Sequence, residues 1–151
     1  MSMEIEKAFA IIEDHVEEGD FSGPISLKSI EEAERMLRVT FPPSYRKFLV
    51  RYGAGDIAGL EFYGIINDPN IDREGVPNGI WLTQNLRKET ALPVEFVVVS
   101  ETGYGPYYVI DTSQKNERDE SPIYLWNVGN QKEKAADSFG EFLLSLLQES
   151  V

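Results

Sequence analysis

The residue types that carry out chemistry in proteins are sparse in this sequence of 151 residues. It holds one histidine, His15, and no cysteine, which excludes a thiolate nucleophile, a disulfide and a zinc site built on sulfur. His15 adjoins the apolar stripe of the first predicted helix, and no second histidine is present to share a metal with it. We interpret His15 as a residue at the boundary of the core.

Carboxylates are the one abundant reactive group, with 26 Asp and Glu against 14 Lys and Arg and a net charge of −12. A pair such as Asp56 and Glu61 could do acid–base work only if folding placed the two about 5–9 Å apart across a cleft. With so many acids, such pairs occur by chance. The acids from Asp68 to Glu74 lack the spacing of a calcium loop. The sequence therefore predicts no catalytic residue, no metal site and no cofactor.

Two further motifs do not indicate an enzyme either. No Gly-x-Ser-x-Gly segment is present to carry a serine nucleophile. Gly103 and Gly105 lie between two predicted strands, whereas a phosphate loop leads from a strand into a helix N-terminus. An acidic surface also repels nucleic-acid backbones and attracts basic partners. We expect no direct binding to nucleic acid, although acidity that serves solubility alone remains an alternative.

Three segments with helical spacing come first in the chain. The first covers 4–18 and has an acidic outer face, and Ser26 is placed to cap the second. The third begins at Pro42 and Pro43, because proline fits the first turn of a helix and not its middle. Its apolar stripe recurs at i, i+3, i+4 and i+7, in the residues Tyr45, Phe48, Leu49 and Tyr52.

The rest of the chain has mainly the patterns of strands and loops, with a helix at the end. The segment 94–100 is β-branched and continuous enough to be covered on both faces. The other predicted elements are strands at 57–66, 107–111 and 122–127, a loop at 67–78, a short helix at 80–89 and a final helix from Asp137 or Ser138. This order predicts a single α+β domain over residues 1–151, with a mostly antiparallel sheet and helices on one face.

The sequence also bears on location. Its first seven residues include acids where a secretory signal carries basic residues. No apolar run approaches the roughly 20 residues that a membrane-spanning helix needs. We expect a soluble protein without a membrane partner, and the lack of cysteine favours the cytoplasm.

Several motifs occur in a fixed order between residues 26 and 147. They are Ile30-Glu31-Glu32-Ala33-Glu34, Phe41-Pro42-Pro43-Ser44-Tyr45-Arg46-Lys47-Phe48-Leu49, Tyr52-Gly53-Ala54-Gly55, Gly103-Tyr104-Gly105-Pro106-Tyr107-Tyr108-Val109-Ile110-Asp111, Pro122-Ile123-Tyr124-Leu125-Trp126 and Asp137-Ser138-Phe139-Gly140-Glu141-Phe142-Leu143. In this order they resemble the SUKH superfamily, which includes the yeast cell-wall-synthesis regulator of the Smi/Knr type and many bacterial immunity proteins. Phe41 stands where the family usually has leucine, and Gly53-Ala54-Gly55 where it usually has asparagine and two glycines.

The resemblance implies an α+β domain without catalysis. Its bacterial members commonly neutralise a cognate polymorphic toxin, often a nuclease, in the cell that makes the toxin. The motif residues are mainly structural, so the resemblance brings no binding site with it.

From charge alone, we expect exposed acids and aromatics around the loops of the sheet to bind a basic toxin, because complementary charge raises association rates. These residues are Asp56, Glu61, Asp68, Asp72, Glu74, Glu101, Tyr104 and Asp119. The competing interpretation is a general regulatory or scaffolding module of the yeast type, with no toxin partner.

Overall fold

Five α-helices and seven β-strands form in residues 3–129 and 131–151, the part of the chain that the computed structural model describes. The helices are α1 (Met3–Asp14), α2 (Leu27–Leu37), α3 (Pro43–Arg51), α4 (Gly79–Glu89) and α5 (Phe139–Ser150). The strands are β1 (Gly19–Phe21), β2 (Gly55–Ile57), β3 (Leu60–Phe62), β4 (Phe96–Glu101), β5 (Tyr107–Asp111), β6 (Ile123–Trp126) and β7 (Lys132–Ala136).

The strands form two antiparallel sheets instead of the one predicted. One has the order β1-β2-β3 and the other the order β4-β5-β6-β7. The two meet where the Tyr63 amide donates to the carbonyl of Val99 at 2.8 Å. Nearby, the Ser100 hydroxyl donates to the carbonyl of Glu61 at 2.6 Å. The predicted α+β class and the antiparallel pairing are confirmed.

Helix α3 lies at the centre of the core. It begins as predicted, with Pro42 at its N-cap position and Pro43 as its first residue. Phe48 is fully buried and its ring centroid lies 5.4 Å from that of Phe139 in α5. The buried Tyr45 hydroxyl donates to the carbonyl of Tyr63 at 2.9 Å, so the helix is joined to the sheets by a hydrogen bond as well as by apolar contact.

Helices cover both faces of the larger sheet, which corrects the prediction that all of them lie on one face. Val97 and Val99 of β4 pack in one apolar cluster with residues of α1, α2, α3 and α5. Val98, which points to the opposite face because side chains alternate along a strand, packs with Leu82 and Leu86 of α4. The predicted burial of β4 on both faces is thus confirmed, and α4 supplies the second cover.

Several predicted boundaries were wrong for local reasons. The first helix ends at Asp14 and is followed by a short 3-10 turn at Val16–Glu18, so it does not continue to residue 18. The predicted strand at 57–66 is a hairpin, because Ala58 and Gly59 both adopt positive φ and turn the chain between β2 and β3. Strands β1 and β7 were not predicted.

The remaining elements agree with the sequence patterns. Helix α4 covers the segment predicted as a short helix, and β4 and β5 form the predicted hairpin. Ser138 caps α5, since its hydroxyl accepts a hydrogen bond from the Glu141 amide at 3.1 Å. In the described part of the chain, no helix is both long enough and apolar enough to cross a membrane.

Candidate functional site

Three exposed acids lie side by side across the smaller sheet. Asp20 of β1 is the register partner of Asp56 in β2, and Asp56 is the register partner of Glu61 in β3. Residues directly opposite each other in antiparallel strands share a face, with Cβ atoms about 5 Å apart. We call Asp20, Asp56 and Glu61 the acidic row.

Strand alternation explains why these acids face solvent. Asp56 is exposed between Gly55 and Ile57, both of which are buried, and Glu61 precedes the fully buried Phe62. Gly55 lets the strands approach closely, because a Cβ at that position would lie 2.2 Å from the carbonyl oxygen of Asp20. The apolar residues hold the sheet against the core and leave the carboxylates on its outer face.

The acidic row is not neutralised by basic side chains. Among residues 3–129 and 131–151, the ion pairs within 4 Å use the carboxylates of Glu6, Glu13, Glu34 and Asp137, and none uses a member of the row. Like charges directly opposite each other in a sheet are destabilising. The arrangement of the three carboxylates therefore opposes folding.

Glu101 extends the row onto the larger sheet. It is exposed at the end of β4, where it is paired in register with Tyr107. Burial raises the pKa of the Tyr63 hydroxyl, and the nearby carboxylates of Glu101 and Glu61 raise that pKa further. One phenol thus lies within reach of both charges. We call Asp20, Asp56, Glu61 and Glu101 the acidic face.

A cavity of about 250 Å³ adjoins the acidic face. Asp20, Asp56 and Glu61 contribute to its lining, together with the apolar side chains of Phe21 and Val76. Val76 is 54% exposed. Aromatic and aliphatic surface surrounded by charged groups is the composition of a protein-binding surface with an apolar centre and a polar rim.

Asp68 has a structural partner in α2. Its carboxylate accepts hydrogen bonds from the Ser26 amide at 2.9 Å and from the Ser29 hydroxyl at 2.5 Å. These bonds, first from the Ser29 hydroxyl and then from the Ser26 amide, lower the pKa of Asp68. The residue therefore fastens the loop after β3 to the start of α2.

Asp72 and Glu74 are exposed in the loop that precedes α4. The buried side chain of Asn78 holds this loop by donating to the carbonyls of Ile71 and Arg73, at 2.9 and 2.6 Å. Val76 of the same loop lines the cavity beside the acidic row, so the loop that carries Asp72 and Glu74 reaches that cavity.

Tyr104 and Asp119 do not share one end of the sheet. Tyr104 is 76% exposed in the turn between β4 and β5. Asp119 is exposed in the connection between β5 and β6, which lies at the other end of β5. The structure thus brings together Asp56, Glu61 and Glu101 from the predicted set, leaves Asp72 and Glu74 nearby, and separates Asp119 from Tyr104.

Asp20 is the member of the acidic face that sequence reasoning did not select. Asp20 comes just after the first predicted helix, and it lies on β1, a strand that was not predicted. Phe21 next to it packs against Tyr52, with ring centroids 4.9 Å apart. The sequence signal for this strand was the single aromatic residue Phe21, but a strand of three residues is too short to show an alternating pattern.

His15 has a local structural contact. Its Nδ1 lies 3.0 Å from the carbonyl oxygen of Ile11, one helical turn earlier. The described residues contain no group of three or more His, Asp or Glu side chains placed to hold a metal ion.

These features define an α+β domain that carries a row of acids on one face of its smaller sheet. A model of the SUKH_5 family, described as SMI1-KNR4 cell-wall, matches residues 5–148, and the chain belongs to that family. The superfamily indicated by the order of its motifs is thereby confirmed.

Proposed function

We propose that this protein is a non-catalytic binding domain that neutralises a basic protein toxin in the cytoplasm of the cell that makes the toxin. The observation that carries the proposal is the acidic row, in which Asp20, Asp56 and Glu61 are aligned on adjacent strands and form no ion pair within 4 Å among the described residues. Membership of the SUKH superfamily supports a protein-binding role. In this proposal the whole chain acts as one domain.

The physical basis is electrostatic steering. Carboxylates grouped on one face add their fields, and a partner of opposite charge is drawn to that face before contact. Such complementarity raises association rates by about 10- to 1,000-fold, and the gain decreases as salt rises. The cavity beside the row, with Phe21 and Val76 in its lining, would then receive an apolar side chain of the toxin.

The toxin is proposed to be a nuclease or another enzyme that acts on polyanions. Such an enzyme carries a basic substrate groove, and an acidic protein seated over that groove excludes the substrate without any chemistry of its own. The net charge of −12 favours this class of partner over an acidic one at the acidic face.

The proposal predicts that a neighbouring gene encodes a toxin domain, and the first experiment uses that domain. Co-expression of the chain should restore growth of cells that make the toxin domain, and the purified proteins should form a complex whose association rate falls with salt. In D20N/D56N/E61Q, the association rate at low salt should drop by about tenfold or more.

A matched variant, E32Q/E117Q/E133Q, removes the same number of charges from exposed positions outside the acidic face. It should keep most of the association rate. Equal losses in the two variants would show that only net charge matters, and full binding by D20N/D56N/E61Q would place the interface elsewhere.

A second candidate is a regulatory or scaffolding module, which the family description SMI1-KNR4 cell-wall favours. It predicts binding partners other than a toxin. If no toxin gene adjoins this gene and its deletion leaves growth unharmed, the regulatory interpretation replaces the immunity one.

A further inference from the structure

A second surface, of opposite charge, lies between the C-terminal end of α2 and helix α4. It is a groove of about 520 Å³, which we call the α2–α4 groove. Apolar and cationic side chains line it together, among them Met36, Arg38, Trp81, Arg87, Lys88 and Val94. Val94 is 54% exposed and Trp81 is partly exposed, so the apolar part is open to a ligand.

In the described structure, the cations of the α2–α4 groove form no ion pair within 4 Å, and Glu95 is a carboxylate whose charge acts on Arg87. In the described part of the chain, ion pairs within 4 Å use Arg46, Lys47, Arg51 and Lys134. Arg38, Arg87 and Lys88 are in none of them. The described residues that line the groove include these three cations and no acid, although the protein as a whole has a net charge of −12.

Arg87 forms a fixed positive centre in this groove. Its guanidinium donates to the carbonyl oxygen of Leu37 at 2.8 Å and to that of Val94, while its buried Nε has no acceptor. Burial lowers the pKa of Arg87, the neighbouring charge of Arg38 lowers it further, and Glu95 acts in the opposite direction. A negatively charged ligand would relieve the repulsion between the two arginines.

Helix dipoles do not balance these charges. Helices α2 and α4 both end beside the groove, and each helix C-terminus contributes about half of a negative elementary charge. Three cations exceed that amount. Glu95 offsets part of this positive potential at Arg87, and Arg38 and Lys88 form no ion pair within 4 Å in the described structure.

We propose that the α2–α4 groove binds an acidic peptide segment of a partner protein, with carboxylates at Arg38 and Lys88 and an apolar side chain against Trp81 and Met36. An adjoining groove of about 600 Å³ shares Arg38, but it is lined by the acids Glu31 and Glu34 as well as by Arg35 and Lys115. The carboxylates of the peptide therefore belong in the α2–α4 groove.

A peptide fits the charge balance better than a nucleic acid does. The dense phosphates of a nucleic acid would be repelled by the net charge of −12, whereas one or two carboxylates with an apolar neighbour match the composition of the groove. This binding mode is independent of the acidic face and of the function proposed above.

The test uses a short blocked peptide of two glutamates flanking a leucine in a Gly/Ser frame, titrated into the full ¹⁵N-labelled chain. The indole N–H signal of Trp81 and the amides of Arg38 and Lys88 should shift together. The same peptide with glutamines in place of the glutamates should bind at least about fivefold more weakly.

Variants then separate local contacts from net charge. R38Q/K88Q should weaken binding of the glutamate peptide by about fivefold or more. The variant K28Q removes a cation from the other end of α2, about 15 Å away, and should change binding less than twofold. Thermal unfolding of each variant checks that the fold is retained.

Three results would overturn the proposal. Equal binding of the glutamate and glutamine peptides would show that the groove does not recognise carboxylates. If K28Q and R38Q/K88Q weakened binding of the glutamate peptide equally, the peptide would be responding to net charge and not to the groove. If a single-stranded oligonucleotide shifted the same signals and bound more tightly than the glutamate peptide, the groove would be a nucleic-acid site instead.

Discussion

The buried carboxylate of Glu120 accepts hydrogen bonds from both the amide and the hydroxyl of Ser44, at 3.0 and 2.8 Å, across 76 residues of sequence. The same hydroxyl accepts a hydrogen bond from the Gly140 amide at 3.0 Å. One carboxylate thus supplies an acceptor that the first turn of α3 lacks, since Pro42 at its N-cap position has no side-chain acceptor.

Removal of this carboxylate should cost much of the stability of the protein. In E120A, the buried amide and hydroxyl of Ser44 lose their acceptor, and an unsatisfied buried group costs about 1–3 kcal/mol. Urea unfolding should show a loss of that size. E120Q keeps one acceptor oxygen and should lose less. Wild-type stability in E120A would mean that the hydrogen bonds contribute nothing net.

Neutralisation of the acidic row should stabilise the protein. Asp56 has an acid on each side, at Asp20 and Glu61, so D56N removes two repulsive pairs and D20N or E61Q removes one. We expect D56N to gain the most, at about 0.2–1 kcal/mol per pair. The gain should shrink in high salt.

Urea unfolding at two salt concentrations measures this effect, with E117Q as the control for net charge. If D56N gains no more than E117Q, the three carboxylates do not repel one another as their register indicates. Together with weaker partner binding by the triple variant, a gain in stability would show that the row sacrifices stability for association.

Gly64 should not tolerate a side chain. A Cβ there would lie 2.0 Å from the carbonyl oxygen of Gly53 and 2.8 Å from a methyl carbon of Leu49. Because the nearest atom belongs to the backbone, it cannot shift without distorting the fold. G64A should therefore lower the free energy of unfolding by about 1–3 kcal/mol or more, as overpacked core sites do.

Gly59 provides the matched control for that substitution. It has a φ of +82° and nothing within 4 Å of its ideal Cβ, so G59A should incur only the conformational cost of positive φ, about 1–2 kcal/mol. Chemical unfolding of both variants gives the comparison. A smaller loss in G64A than in G59A would contradict the close approach of the two chains.

The bond between Asp68 and α2 predicts a pH dependence of stability. Hydrogen bonds from Ser29 and Ser26 lower the pKa of Asp68 below its ordinary value of 3.8. A carboxylate whose pKa is depressed in the folded state contributes stability above its unfolded pKa, and that contribution is lost as pH falls through the folded pKa.

The difference in unfolding free energy between wild type and D68N should therefore be full at neutral pH and should shrink as pH falls below about 3.8. Unfolding curves over the acidic range measure it, and N70D, which adds a charge nearby at an exposed position, serves as a control. A difference in unfolding free energy that grows towards acid pH would contradict a lowered pKa of Asp68 in the folded state.

The helices and the central strand could be predicted from the sequence, because each has enough residues to show its period. The prolines at the start of α3, the stripe from Tyr45 to Tyr52 and the β-branched run of β4 each specify their element locally. The order of the motifs was sufficient to indicate the superfamily.

Tertiary structure decided the short strands and the site. Strand β1 has three residues, and β7 has only one buried residue, Ala136, so neither carries a readable pattern. Their pairing depends on distant partners. The approach of Asp20 to Asp56 also depends on distant parts of the chain. So does the separation of Asp119 from Tyr104 by the length of β5.

The sequence by itself determined the acidity, the exclusion of cysteine chemistry and the α+β class, since these follow from composition and local period. Only the folded chain decided which charges stand together. The register of β1, β2 and β3 aligns Asp20 with Asp56, which is 36 residues later in the sequence, and Asp56 with Glu61. The packing of α2 against α4 brings the cations of the groove together. Such juxtapositions arise from long-range contacts, which no local pattern encodes.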